Sequence, residues 1–155
     1  MKRLGRFSIA IMAVYLYILF KVMVLKDIPV IRIGHMRFKL GGTDDGPPNW
    51  VPFRTIRFYL VGRFGLMKAG VNLIGNVVLL IPVGFLAGFI HPRMTWLQSM
   101  FVGLVLSSAI EAVQGVFRLG IVDVDDVILN TLGVLVGHAL FVWLAKGRIS
   151  GDMTP

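Results

Sequence analysis

The sequence predicts an all-α integral membrane protein: a four-transmembrane-helix bundle with one long loop between the first and second spans. Of its 155 residues, 56% are hydrophobic and only 15% are charged, whereas a typical soluble domain has about 25% charged residues. Four apolar stretches also reach the roughly 20 residues that a helix needs to cross a bilayer. The length predicts a single membrane domain over residues 1–155.

The formal charge of +8 arises from 16 Lys+Arg against 8 Asp+Glu. Most of these cations lie between the apolar stretches, where anionic headgroups attract them by about 1 kcal/mol each. We therefore expect membrane lipids as partners, and no nucleic acid. The chain has no cysteine, which excludes disulfides, thiolate metal sites and a cysteine nucleophile.

The first predicted span, Phe7–Leu25, follows a basic start and resembles a signal peptide. Its apolar core is longer than a typical signal core, and no small-x-small cleavage site follows it before Lys26. A retained membrane anchor is therefore favoured. Lys21 lies close enough to the end of this span to extend its ammonium group to the surface.

The long loop runs from Lys26 to Gly70. Residues 36–40 alternate apolar with basic side chains, as an exposed strand does, and residues 41–48 are rich in turn formers. Beyond them, apolar residues at helical spacing predict a helix lying in the membrane interface. Its apolar face would carry Phe53, Ile56, Leu60, Phe64 and Met67.

The other predicted spans are Val71–Ile90, Trp96–Phe117 and Val127–Ala145. Pro82 inside the second span is tolerated because neighbouring helices re-satisfy the backbone. A basic N-terminus favours an orientation with both termini in the cytoplasm in a multi-pass protein of the cell membrane. The positive-inside rule opposes it, because the outer segments then carry more Lys and Arg than the inner ones.

Carboxylate and amide side chains lie at one end of each of the last three predicted spans. Because direction reverses at each loop, the start of the second span, the end of the third and the start of the fourth meet at one membrane face. Polar groups at membrane depth cost kilocalories, so they rarely lie there without a partner or a task. With Arg54 on the approach to the second span, the candidate pocket residues are Asn72, Asn76, Glu111, Gln114, Asp123, Asp125, Asp126, Asn130 and Arg54.

Each of these residues also has a purely structural interpretation. Membrane asparagines often bond a neighbouring helix, at about 0.6 kcal/mol on average, and the three aspartates could cap the fourth span. Gly133 and Gly137 are expected to be packing residues, and His138 a core histidine. We expect Arg118 to contact headgroups.

No recognised catalytic motif accompanies the polar residues, so no reaction is dictated. Glu111 and Asp126 are catalytic candidates, since crowding and burial push the pKa values of paired carboxylates apart. An acidic cluster could hold Mg²⁺ or Ca²⁺, but we predict neither a resident metal nor a cofactor.

Four motifs in matching order resemble the VanZ-like family over about residues 49–140. They are Asn49-Trp50-Val51-Pro52-Phe53-Arg54-Thr55-Ile56, the run from Asn72-Leu73-Ile74-Gly75-Asn76 through Pro82 to Phe85, Glu111-Ala112-Val113-Gln114, and Asp123-Val124-Asp125-Asp126-Val127-Ile128-Leu129-Asn130-Thr131-Leu132-Gly133. The resemblance implies a small bacterial membrane protein, and the family's namesake raises tolerance to the glycopeptide teicoplanin by an unsettled mechanism. Two positions depart from the family pattern: Leu80 replaces a common Phe, and Ile121-Val122 stands where an Arg is often found.

Three functions remain open at this point, and a transporter is disfavoured because four spans leave little room for alternating access. The favoured one is a non-enzymatic protein that binds a lipid-linked cell-wall intermediate or other envelope component, with Arg54 and Arg57 approaching phosphate, or that contributes to tolerance of teicoplanin-type glycopeptides. The second is an intramembrane enzyme acting on a lipid through Glu111 or Asp126. The third is a structural scaffold. Oligomeric state cannot be inferred.

Overall fold

The structure, a computed structural model, describes the backbone of residues 2–24, 31–33, 36–38, 47–61 and 66–151. Helices dominate this part of the chain. In order, the elements are α1 (Lys2–Leu19), continued by a π-helical turn (Phe20–Val24), strands β1 (Ile31–Ile33) and β2 (Met36–Phe38), and helices α2 (Arg54–Val61), α3 (Leu66–Ile90), α4 (Trp96–Val116) and α5 (Val124–Gly151).

The predicted fold class is confirmed, because four helices in the described part of the chain are long and apolar enough to cross a membrane. Each lies within a few residues of the predicted span. The apolar segments are Phe7–Val24, Leu73–Ile90, Trp96–Val116 and Val124–Lys146. The two short strands pair in an antiparallel hairpin, which confirms strand structure at residues 36–38, while residues 41–46 of the predicted loop lie outside the described residues.

Helix α2 is the described part of the predicted interfacial helix, and the prediction was wrong at Phe53. The observed α2 ends at Val61, residues 62–65 lie outside the described part of the chain, and Met67 already belongs to α3. Phe53 precedes the helix and has a positive φ of 64°. The exposed side chains of α2 include Phe58 and Leu60, so apolar surface is present on it.

Close contact between α3 and α5 forms the centre of the bundle, and glycine makes it possible. A Cβ atom placed on Gly133 would lie 2.2 Å from the carbonyl oxygen of Val77, and one on Gly137 would lie 1.9 Å from that of Ile81. Gly84 of α3 meets the Val134 carbonyl oxygen in the same way, at 1.9 Å. The predicted packing role of Gly133 and Gly137 is thus confirmed: the small-xxx-small surface of α5 lies directly against the backbone of α3.

Helix α1 packs along α3 in the opposite direction. The Tyr15 hydroxyl donates a 2.7 Å hydrogen bond to the carbonyl of Leu79, while Gly5, near the start of α1, lies beside the Phe89 carbonyl near the end of α3. Buried Leu19 and Val24 join Leu80 in the core. The end of α1 therefore reaches the membrane face at which α3 begins.

His138 lies in the interior, as predicted, with 2% of its surface exposed. Its ring meets that of Trp96 edge-on, with centroids 4.8 Å apart. Among the described residues, its Nδ1 atom has no hydrogen-bond partner. His138 is far from the polar ends of the helices, because α5 extends 14 residues from Val124 before reaching it.

Candidate functional site

Side chains from α3, α4 and α5 are joined at one end of the bundle. Asn76 donates through Nδ2 to Asp126 Oδ1 at 2.5 Å, which links α3 to α5. The backbone N–H of Asp123 donates to Glu111 Oε2 at 2.7 Å, which links α4 to the start of α5. These two bonds bring together side chains that the sequence pattern assigned to one membrane face.

Residue Asn49, at the end of the long loop, is fixed beside Asp123. The Asn49 N–H donates to the Val122 carbonyl at 2.8 Å, and the Val124 N–H donates to the Asn49 carbonyl at 3.0 Å. These two bonds form an isolated parallel bridge between Asn49 and Asp123. The chain just before α2 therefore lies beside the start of α5.

The Asp125 carboxylate holds the start of α2. It is fully buried and accepts three backbone N–H donors: Phe53 to Oδ1 at 2.5 Å, Thr55 to Oδ2 at 2.7 Å and Ile56 to Oδ2 at 3.0 Å. The first N–H groups of a helix have no partner within the helix, and a carboxylate there is favoured by the helix dipole. Asp125 thus caps a helix some 70 residues away in sequence.

The Asp123 carboxylate bonds both the start of α5 and the 49–55 segment, and we call this connection between the two the joint. Its Oδ1 accepts from the Asp125 N–H at 2.9 Å, which is the N-terminal cap of α5. The same oxygen accepts from Asn49 Nδ2 at 2.9 Å, and its Oδ2 accepts from the Thr55 hydroxyl at 2.5 Å. The capping interpretation of the aspartates therefore fits Asp123, while Asp125 caps α2 instead of α5.

Gln114 binds the end of α1. Its Nε2 donates to the Met23 carbonyl at 2.7 Å, in the π-helical turn where backbone carbonyls lack partners within the helix. Gln114 and Glu111 are both buried. The end of α1 therefore also belongs to the polar end of the bundle, although the sequence pattern did not assign it to this site.

The remaining candidate residues differ in surroundings. Asn130 is fully buried and lies one turn beyond Asp126 in α5. Arg54 is exposed at the first position of α2. The side chain of Asn72 lies outside the described part of the structure.

Two of the described non-glycine residues have positive φ, and both lie at this end of the bundle. They are Phe53 at 64° and Arg118 at 52°. Arg118 follows the end of α4, where the Leu119 N–H bonds the Gln114 carbonyl at 2.8 Å and the Arg118 N–H bonds the Gly115 carbonyl at 3.3 Å. This is the pattern of a Schellman C-cap, which usually has glycine at the left-handed position. The left-handed conformation costs a residue other than glycine about 1–2 kcal/mol. Arg118 adopts it, and its side chain is exposed.

Two residues of the joint were not among the predicted site residues. Asn49 and Thr55 stand in the first family-like motif, and both bond Asp123. Their side chains are common in turns, so composition offered no signal, and only the motif match marked the segment. Among the described residues, no group of three or more His, Asp or Glu side chains is arranged to hold a metal ion.

The arrangement presents cations and aromatic groups outward and keeps its acidic groups inward. Asp123 and Asp125 bond the chain itself, whereas Arg54 and Arg57 are exposed. Around them Trp50 and Phe53 are 70% and 61% exposed. Helix α2 contains no acidic residue, so the outer surface around Arg54 and Arg57 is cationic and aromatic.

Comparison with known proteins agrees with this arrangement of motifs. The family model VanZ/LLP1 matches residues 9–145. Protein VanZ from Enterococcus faecium is 36% identical over 104 residues, an alignment that covers 59% of this chain and 65% of that protein. No solved structure matches the chain. The chain belongs to the VanZ/LLP1 family and is a multi-pass membrane protein.

Proposed function

We propose that this VanZ/LLP1 protein binds the polar headgroup of a lipid-linked envelope component at the membrane face described above, and thereby contributes to tolerance of teicoplanin-type glycopeptides. The binding surface would comprise the exposed residues of the 49–61 segment and the polar layer behind it, formed by Asn76, Glu111, Gln114, Asp123, Asp125 and Asp126. The match to Protein VanZ supports the link to glycopeptides. Since the alignment spans about 65% of that relative, its activity is transferred here as a proposal.

The observation that carries the proposal is the way Asp125 holds the start of α2. Three backbone N–H groups bond this one buried carboxylate, so Arg54 and Arg57 start from a fixed backbone. Preorganisation of this kind lowers the entropy that a binding surface loses when it takes up a ligand. Arginine also matches phosphate oxygens with paired donors.

Membrane lipids are the surroundings in which this surface operates. Exposed Trp50 and Phe53 provide apolar area of the kind that lies at the headgroup level, next to the exposed cations of α2. A lipid-linked ligand would bring its phosphate and its acyl chain to these two kinds of group together. This is the chemical basis for preferring a lipid-linked partner over a free soluble one.

The proposal predicts that neutralising the buried carboxylate of Glu111 and the half-buried one of Asp126 abolishes tolerance. Glu111→Gln and Asp126→Asn keep an oxygen able to accept from the Asp123 N–H and Asn76 Nδ2 while removing both charges. In a host made tolerant by expression of the parent protein, we expect the double variant to return the teicoplanin inhibitory concentration to that of the empty vector. Membrane protein levels are matched by quantitative immunoblotting.

The single variants and an Arg57→Gln variant serve as comparisons within the same experiment. Arg57→Gln removes an exposed cation and is expected to lower tolerance without lowering the thermal midpoint. Full tolerance in the double variant, at matched expression, would rule out the polar layer as the active element.

A structural scaffold is the second candidate, and specific contacts favour it. Gln114 binds α1, while Asp123 and Asp125 bind the 49–56 segment. Under this alternative the double variant loses tolerance only because it loses folded protein. A fall in thermal midpoint that accounts for the lost tolerance would favour the scaffold, whereas an unchanged midpoint with lost tolerance would favour binding.

We further propose that both termini lie in the cytoplasm, which places the 49–61 segment on the outer face of the cell membrane. The absence of cysteine allows single-cysteine variants to test this. Phe117→Cys, at an exposed residue of the polar end, is expected to react in intact cells with a membrane-impermeant maleimide. His91→Cys, in the turn between α3 and α4, is expected to react only after permeabilisation, and the reverse pattern would invert the orientation.

A further inference from the structure

The side chain of Asn130 is buried in the bundle without hydrogen bonds to its two polar atoms in the described part of the chain. It is fully buried, and neither Nδ2 nor Oδ1 has a hydrogen-bond partner among the described residues. Each unsatisfied buried polar group costs about 1–3 kcal/mol. The buried hydroxyls of Ser107 and Thr131 are also without a partner in the described part of the chain.

Two contacts set the register between the antiparallel helices α4 and α5 and place Ser107 near Asn130. Glu111 bonds the N–H of Asp123, and a Cβ atom on Gly103 would lie 3.0 Å from Thr131 Cα. Ser107 is midway between Gly103 and Glu111 on α4. The residue of α5 at the same height is therefore midway between their partners Thr131 and Asp123, which is residue 127. Asn130 is three residues farther, a rise of about 4.5 Å, which is less than one helical turn.

The direction of the Asn130 side chain follows from the helical wheel. At about 100° per residue, Asn130 lies roughly 40–60° from Asp126 and Gly133, both of which contact α3. It lies roughly 40° on the other side from Val134, which contacts Gly103 of α4. Asn130 therefore points into the seam where α3, α4 and α5 meet.

We propose that Asn130, Ser107 and Thr131 form an internal site that binds one or two water molecules. Water both donates and accepts, so a single molecule can take a hydrogen from Asn130 Nδ2 and give one to the Ser107 oxygen. Buried waters in proteins typically make about three such bonds to groups that would otherwise be unsatisfied. Binding at this site does not depend on headgroup binding at the membrane face.

The site extends the polar layer by one turn into the bundle. Asn130 is four residues beyond Asp126 in α5, and Ser107 is four residues before Glu111 in α4, each a distance of about 6 Å along its helix. Glu111 is itself buried. Water at this depth would lie about one helical turn farther into the bundle than the Glu111 and Asp126 carboxylates.

Water-edited solid-state NMR of the full chain tests the proposal, because the sequence contains four asparagines, at positions 49, 72, 76 and 130. The protein, labelled with ¹⁵N-asparagine, is placed in perdeuterated lipid so that water is the main external proton source. We expect the Asn130 side-chain amide to receive polarisation from water at a rate within about threefold of that of Asn49. No transfer to Asn130 would overturn the proposal, and so would transfer seen only when protonated lipid is used.

Two serine variants make the assignment specific. Ser107→Ala is expected to slow transfer to Asn130 at least threefold while leaving Asn49 unchanged, and an unchanged rate at Asn130 would overturn the shared site. Ser99→Ala is the matched control, because Ser99 is also fully buried on α4 but lies about 12 Å farther along the helix. Should Ser99→Ala slow the transfer equally, the effect would be one of general packing and the site would be rejected.

Discussion

Gly137→Ala is expected to break the central helix pair, because a single added methyl group has no space at this position. The new Cβ would lie 1.9 Å from the Ile81 carbonyl oxygen and 2.8 Å from the Phe85 nitrogen. Both are backbone atoms, so the helices must separate along their length instead of one side chain moving aside. We expect the free energy of unfolding to fall by about 3 kcal/mol, the upper part of the range for overpacked cores.

Gly75→Ala is the matched control for this prediction. Gly75 lies in α3, like the contacted carbonyl of Ile81, but a Cβ there meets nothing within 4 Å. Alanine favours helix over glycine by about 1 kcal/mol, so this variant should be as stable as the parent protein or slightly more stable. Thermal unfolding in a fixed detergent, or SDS titration, measures both variants, and equal stabilities would contradict the close approach of α3 and α5.

Asp125→Asn is expected to release the 49–61 segment from the bundle. Hydrogen bonds to a charged acceptor contribute about 1.5–3 kcal/mol each, and Asp125 accepts three of them. Asparagine keeps one acceptor oxygen but turns an NH₂ group toward the other donors. We therefore expect the free energy needed to detach the 49–61 segment from the bundle to fall by at least about 3 kcal/mol.

Limited proteolysis by trypsin reads out this release, since α2 contains Arg54 and Arg57. A local opening made easier by about 3 kcal/mol raises the cleavage rate there by roughly 100-fold when opening is fast relative to cleavage. Thr55→Val removes only a hydroxyl, which donates to Asp123 and accepts from Asn49 Nδ2. It keeps all three bonds to the Asp125 carboxylate and should give a much smaller increase. Parental resistance of the Asp125 variant to cleavage at both arginines would contradict the capping role of Asp125.

Some properties of this protein follow from short-range sequence pattern. The four spans were predicted to within a few residues, because bilayer thickness imposes a length and a composition that each span satisfies by itself. The packing role of Gly133 and Gly137 was also readable, since spacing by four places both on one face. Reversal of direction at each loop similarly places the ends that carry Asn76, Glu111 and Asp126 at one membrane face.

The partners of these polar groups could not be read in the same way. Asp123, Asp125 and Asp126 are adjacent in sequence and chemically alike, yet they bond three different targets: a side-chain pair in the 49–55 segment, the backbone of α2, and Asn76 of α3. Which carboxylate reaches which donor depends on angles around α5 and on where the long loop returns. Phe53 was placed in the interfacial helix for a related reason, because apolar spacing alone does not show where a helix begins.

By itself the sequence determined the membrane class, the number of spans and the end of the bundle at which polar groups gather. Each of these properties depends on hydropathy and helix periodicity, which can be read from consecutive residues of the chain. Tertiary structure alone decided that Asp125 caps α2, that Gln114 binds α1 and that Asn130 points into the bundle interior. Those outcomes depend on contacts between residues from about 70 to 90 positions apart, or on helix packing, and no local pattern encodes such distances.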